Sequence, residues 1–386
     1  MSWEVVKLND IADIYSGFAF KSSDMSVQNG IPLIKIKNIS DFLVSQQCET
    51  YLNPDIITAK YDRFILQDDD FLIAMTGQGS VGRIGKMSKV DRLYYVNQRV
   101  AIVRVNPKCA FPAFVFYQIA TAQNETFLFN KANGAGQPNL SATQIGELPV
   151  ILPSKDKQVQ IADILGKFNH LIENNQKQIK LLEEAAQRLY KEWFVDLRFP
   201  GYEDVAVVDG VPEGWKKGML SDVAVFKRGS TITKSQVNEG NVPVVAGGLE
   251  PAYYHNQANT VSPVVTVSGS GANAGFTRLY TVDVFASDCS FTDAKDSPYV
   301  YFVYCFLKAN KAELDVLQKG AAQPHVYAKD INAMELNVPN EQCIKEYCER
   351  ISPFFDKIKT LDKQIKYSIE ARDRLLPRLM NGELEV

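Results

Sequence analysis

Apolar residues fall on a three-and-four rhythm over two stretches of the chain. In the first, Phe168, Leu171, Ile172, Ile179, Leu182, Ala186, Leu189 and Trp193 form one stripe. In the second, Ile344, Ile351, Ile358, Leu361, Ile365, Ser368 and Leu375 do the same, widened by Phe354, Phe355, Ile369 and Leu376. This spacing puts side chains on one face of an α-helix, so it predicts amphipathic helices within 154–198 and 341–386. Gly166 and Ser352-Pro353 stand at equivalent places as breakers, which reads as a short helix followed by a longer one of about 24 to 28 residues in each segment. A lone helix of that length cannot bury its stripe. Two in one chain bury each other's when packed antiparallel; the competing reading packs each on its own domain.

Elsewhere, short β-branched and aromatic runs alternate with glycine-rich turns. Ile31–Ile36, Phe71–Ala74, Tyr94–Val105, Val264–Val267 and Val282–Phe285 read as strands. The aromatic-rich segments after Pro112 and Pro298 read as helices with proline at the first helical position. The fold class is α+β, in four segments: globular 1–153, helical 154–198, globular 199–340 and helical 341–386. Pro153-Ser154 and Pro339-Asn340 end strand-like runs and offer Ser154 and Asn340 as helix caps, while Phe199-Pro200-Gly201 and Val211-Pro212-Glu213-Gly214 bracket the return to a globular module.

The chain is written twice. Trp3, Leu8, Asp10, Ala12 and Gly17 recur in the same spacing as Trp215, Leu220, Asp222, Ala224 and Gly229, and the run 133–153 recurs as 319–339. The offset stays at 186 residues from Pro112/Pro298 to Leu189/Leu375, and Lys177-Gln178-Ile179-Lys180 returns as Lys363-Gln364-Ile365-Lys366. From Trp to the closing Pro the first copy spans 151 residues and the second 125, a difference assigned to loops. The duplication predicts two mixed α/β modules related by a pseudo-twofold axis. Such a chain suits a target in two halves, such as a split site on duplex DNA.

At 386 residues, 46% hydrophobic and 23% charged, the chain is long enough for two cores. No run approaches the ~20 apolar residues of a membrane span, and MSWEVVKLND carries charges where a secretory signal is apolar, so the expected compartment is the cytoplasm. Six scattered cysteines without a CxxC pair and three histidines without a partner at ligand spacing give no metal site. A net charge of −3 argues against a nonspecific nucleic-acid coat, but a local patch suffices for phosphate contact. Between Thr76 and Arg99, the residues Arg83, Lys86, Lys89, Arg92 and Arg99 face only Asp91, a local +4 that reads either as such a patch or as a solvated hairpin.

Gly77-Gln78-Gly79-Ser80-Val81-Gly82 spells GxGxxG, but the residues after it read as turn and strand rather than the helix a dinucleotide fold requires. A P-loop fails too, because Met87 follows Gly85-Lys86. Glycine turns also let backbone amides approach phosphates, with neighbouring side chains on phosphate or base edges. The candidates are Gln78, Ser80, Arg83, Lys86 and Arg99 in the first copy, and Lys227, Arg228, Ser268, Ser270, Asn273 and Arg278 in the second; plain hairpins are the alternative. Lys35, Lys37 and Asn38 either reach a groove or solvate a strand end. In the paired loops, Gln137 and Gln323, with Asn139 and His325 nearby, suit an adenine edge; a structural role for the glutamines stands ahead of that, because readers of different half-sites should differ between copies. Asp68-Asp69-Asp70 reads as a solvated loop. No catalytic set is present.

Together, the WxxxxLxDxAxxxxG start of each half, the Gly-Ala-x-Gln-Pro loops, the Leu148–Pro153 close, the two long helices, the Val211–Trp215 restart and the Asn381-Gly382-Glu383-Leu384 end make the chain resemble the specificity subunit of Type I restriction-modification systems. The resemblance implies a non-catalytic chain with two target-recognition domains, each reading half of a bipartite double-stranded DNA site. It implies helices that set the separation and dock two methyltransferase subunits, with restriction/translocase subunits as further partners. S-adenosylmethionine, ATP and Mg are then expected in the partners and no cofactor in this chain. Glu335 and Asn337 depart from the pattern of Pro149 and Ile151, which puts in doubt how that strand closes. A coiled-coil scaffold without DNA reading, a recognition subunit of a Type II bipartite-site system and a free-standing enzyme on the same scaffold are the alternatives.

Overall fold

The computed structural model describes residues 3–26, 28–132, 138–319 and 324–384. Two compact units emerge, Met1–Leu171 with Tyr367–Val386, and Ile172–Lys366. The division cuts both long helices. Each helix stripe is longer than one core, so each module buries a piece of both helices.

In the first unit, Glu4–Lys7 pairs antiparallel with Pro149–Leu152 and stitches the start of the module to its close. A six-stranded sheet runs in the order Ala12–Ser16, Val100–Val105, Phe71–Ala74, Ile84–Lys86, Phe42–Val44, Ile39–Ser40. Strand side chains alternate between faces, and here both faces are covered. Phe71, Ile73, Ala101 and Val103 join a core with Phe114 and Val115 of the helix Pro112–Ile119, while Leu72, Ala74, Val100 and Ile102 join another with Ile34 and Tyr94. That is why Phe71–Ala74 is apolar at every position.

Tyr94–Val105 is not one strand. Tyr95–Val96 pairs in parallel with Ile31–Ile34 in a second sheet, and the turn at Asn97–Arg99, closed by Val100 N–H donating to Asn97 O (2.9 Å), carries the chain to Val100–Val105.

The second unit repeats the closing strand pair and the first four strands of that sheet. Lys216–Met219 pairs with Glu335–Val338, and a sheet runs Lys227–Arg228, Cys289–Asp293, Val264–Ser268, Thr277–Tyr280. Glu335 and Asn337 leave the closing strand intact, and Asn337 Nδ2 donates to Gly210 O (3.0 Å). Two expectations shift. Of the run 282–285 only Phe285 pairs, in the strand Phe285–Ala286, and the helix after Pro298 begins at Val300.

Both long helices are unbroken, Lys155–Tyr190 of 36 residues and Glu341–Met380 of 40. Gly166 and Pro353 lie inside them. Proline in a helix interior costs about 3 kcal/mol, but Ile351, Phe355 and Ile358 beside it are buried, each contributing about 1.5–3 kcal/mol, so packing prevails over the local signal.

The helices do not pack separately on their own domains. In the second unit, Asn175 Nδ2 donates to Gln364 Oε1 (3.2 Å) and Tyr347 OH to Ala186 O (3.0 Å), an antiparallel pairing. Asn175, 2% exposed, is the kind of polar seam residue that fixes register. In the first unit, Arg372 Nη1 donates to Asn169 Oδ1 (3.0 Å), and Leu375, Leu379 and Met380 pack with Ile161 and Leu165. Of the predicted stripes, Ile172, Ile351, Ile358 and Leu361 are buried, and Phe168, Ile179, Leu182, Leu189, Ile365 and Leu375 half-buried. Leu171 and Ile369, 44% and 36% exposed, fall outside them.

Past each helix the chain returns to one of the duplicated tryptophans. Phe199 packs on Trp215 with ring centroids 4.9 Å apart, and Gly382 lies so close to Trp3 that a Cβ there would come within 3.0 Å of the indole.

Candidate nucleic-acid interface

The 77–82 turn leads into the strand Ile84–Lys86 and opens no helix. Gly77, Gly79 and Gly82 all take positive φ, +110°, +78° and +86°. Gly82 presses against the helix Ala122–Lys131, whose Glu125 accepts from Ile84 N–H at 2.9 Å. Burial of the Glu125 carboxyl raises its pKa. The turn is thus pinned, and Arg83 lies across it with Nη2 donating to Gly79 O (2.8 Å). A Cβ at Gly82 would sit 2.9 Å from Glu125 O, whereas one at Gly79 would meet nothing within 4 Å. Gly82→Ala is therefore expected to destabilise the chain by about 2 kcal/mol or more and Gly79→Ala by only about 1 kcal/mol. Equal shifts in thermal denaturation would mean that the turn is not pinned.

Behind this turn lies a groove of about 400 Å³ lined by Ser16, Thr76, Gln98, Arg99 and Asn139 over Met75 and Leu140. Backbone bonds set its walls: Met75 N–H donates to Arg99 O (2.9 Å) and Leu140 N–H to Met75 O (2.8 Å), and Thr76 bridges to Asn139. The side chains of Ser16, Gln98, Arg99 and Asn139 have no hydrogen-bond partner among the described residues, and Thr76 Oγ1 is buried without one. Four exposed polar side chains, an arginine among them, that are not committed to protein partners can receive a polar, electron-rich edge.

The structure brings Arg99 and Asn139 into this groove and leaves Gln78, Ser80 and Arg83 on the adjoining turn. Other predicted residues are committed elsewhere. Asn38, 5% exposed, accepts from Lys35 N–H (2.9 Å) and donates to Gln47 O (2.9 Å), which makes it a turn residue rather than a reader. Lys37 is paired with Glu49, and burial, then the charge of Lys37, lowers the pKa of Lys35.

Lys86 pairs with Asp69 (3.2 Å), and Arg92 bonds to the Tyr94 hydroxyl (3.2 Å), so the +4 stretch is divided rather than one basic face. Asp68 and Asp69 are exposed on a turn, as a solvated loop requires, and only Asp70 departs from that reading. Asp68 accepts from Val90 N–H (3.0 Å), and Asp70, 2% exposed, receives both Nε and Nη2 of Arg104, at 2.8 and 2.7 Å.

In the second unit, Ser268 is 3% exposed and donates to Gly247 O (3.1 Å), which removes it from the candidates. Asn273 donates to the same oxygen (3.4 Å), and Arg278 reaches Leu249 O (2.6 Å) and Glu250 (3.5 Å). Lys227 is paired with Asp296, while its neighbour Arg228 is exposed. Ser270 donates to Asp288, and His325 stacks on Tyr327. Gln137 and Gln323 lie outside the described residues.

Ser16, Thr76, Gln98 and Asp288 were not singled out from sequence. They sit at or near strand ends without a motif; backbone pairing gathers Ser16, Thr76 and Gln98 in the first unit, and in the second sets Asp288 beside Ser270. Among the described residues no group of three or more His, Cys, Asp or Glu side chains is placed to hold a metal, and no helix is long and apolar enough to cross a membrane.

Two modules that share a four-strand order, each closed by segments of two antiparallel helices and each carrying different polar turns, define a duplicated recognition protein. The Type I restriction modification DNA specificity domain family matches residues 1–184 and 212–371, and the chain belongs to that family. It is a DNA sequence-specificity subunit without catalysis of its own.

The MjaIX specificity subunit of Methanocaldococcus jannaschii is similar, 27% identical over 304 residues, covering 71% of this chain and 69% of that one. The HindI specificity subunit of Haemophilus influenzae is 22% identical, covering 75% and 81%. The crystal structure of a Type I restriction-modification S subunit from M. genitalium matches with a TM-score of 0.59 at 15% identity over 98% of this chain and 96% of that chain, which speaks for the fold.

Proposed function

We propose that the chain reads a bipartite site on double-stranded DNA, one half with each module, and presents that site to two methyltransferase subunits and to restriction/translocase subunits. S-adenosylmethionine, ATP and Mg are assigned to those partners. One observation carries the reading: the four-strand order of the second module matches the first four strands of the six-stranded sheet in the first, with different side chains and loop lengths around the corresponding turns. A shared frame with divergent loops suits two readers of two sequences.

Exchange of residues 3–153 for the equivalent module of a relative tests it, provided Leu379 and Met380 keep apolar partners in the transplanted core. Sequencing of methylated adenine in cells carrying the full complex is expected to show one half-site replaced and the other retained. Simultaneous change of both half-sites would refute independent reading.

A further inference from the structure

The two units carry the same hydrogen-bonded frame around the groove. In the first, Gly17 N–H donates to Val100 O (2.9 Å), Met75 N–H to Arg99 O (2.9 Å) and Leu140 N–H to Met75 O (2.8 Å). In the second, Gly229 N–H donates to Cys289 O (2.8 Å), Gly269 N–H to Asp288 O (3.3 Å) and Val326 N–H to Gly269 O (3.1 Å). Thr76 bridges to Asn139 as Ser270 bridges to His325. These bonds match positions one by one, and they put Asp288 where the first module has Arg99.

The reversal of charge at one point of a common frame is informative. Every half-site has phosphates whatever its sequence, so a phosphate anchor has no reason to change sign between copies, and a carboxylate there would be repelled. A base-reading position, in contrast, must change when the base changes. An arginine fork matches the O6 and N7 acceptors of guanine, and a carboxylate accepts from the N4 amino group of cytosine. Arg99 is exposed at the groove with no side-chain partner among the described residues. Asp288 is half-buried and held by the Ser270 hydroxyl on Oδ2, which leaves Oδ1 without a partner among those residues.

Building on the bipartite reading above, we propose that Arg99 and Asp288 occupy the same base-reading position of the two modules, Arg99 selecting guanine in one half-site and Asp288 selecting cytosine in the other.

The test uses the whole complex, this chain produced with its methyltransferase partner, and reads the motif by sequencing methylated adenine. If the natural chain yields no two-part motif, the bipartite reading itself fails before any variant matters. If it does, Arg99→Ala is expected to relax one guanine position in a single half-site, with discrimination falling about tenfold to a hundredfold. Arg99→Lys separates base reading from anchoring: lysine keeps the charge but loses the planar fork, so discrimination at that one position should fall relative to every other position of the motif. Asp288→Asn should relax one cytosine position in the other half-site. A motif unchanged at every position in Arg99→Lys, or a uniform loss across all sequences in Arg99→Ala, overturns the assignment. Should Asp288→Asn not accumulate, Arg99→Lys alone decides.

Discussion

Tyr347→Ala is expected to lower the stability of the unit Ile172–Lys366 by about 3–5 kcal/mol, the usual loss when a large buried aromatic is deleted. The ring is wholly buried, with centroids 5.0 Å from Phe194, 5.8 Å from Trp193 and 6.1 Å from Tyr190, so the cavity would open where one helix lies on the other. Tyr347→Phe keeps that packing and removes the hydroxyl's bond to Ala186 O and its interaction with the Cys305 thiol, which predicts a loss of about 1 kcal/mol. Urea denaturation of both variants measures the difference. Equal losses would mean that the hydroxyl, rather than the packing of the ring, holds the helices there.

Asp70→Ala is expected to cost the first unit about 3 kcal/mol. It removes the carboxylate partner of Arg104 and leaves a guanidinium, 25% exposed at the side chain, with Ile65 O as its remaining hydrogen-bond acceptor among the described residues. The lower end of the range for a broken buried pair applies because water reaches that side chain. Asp69→Ala, in contrast, breaks an exposed contact with Lys86 and should change stability by less than about 1 kcal/mol. Thermal melts of the two variants that coincided would show that Asp70 contributes no more than a surface charge.

The duplication, the helix stripes and the strand Phe71–Ala74 were legible because each is a periodic or repeated pattern over a fixed spacing. What escaped depends on contacts distant in sequence. Nothing around Pro353 signals that Ile351 and Phe355 are buried deeply enough to carry a helix through a proline. Asp69 and Asp70 are neighbours of one type, and only the position of Arg104, on another strand, separates an exposed acid from a buried one.

At the candidate site the difficulty is arithmetic. Asn139 and His325 are 186 residues apart, as the repeat requires, but Arg99 and Asp288 are 189 apart and Thr76 and Ser270 are 194 apart, because loops of unequal length intervene. The constant offset therefore identifies the motifs near the helices and loses register across the strands that build the groove.

The partition of the chain also orders events during synthesis. The unit Ile172–Lys366 is one continuous stretch and has every residue of its core once that stretch has left the ribosome. The other unit begins earlier and finishes later, since Leu379 and Met380 belong to a core whose strands start at Glu4. At ~5–20 residues per second, the interval between Leu171 and Tyr367 is on the order of 10–40 s. For that time the nascent first module lacks part of its apolar wall, so the half of the protein made first is the half completed last.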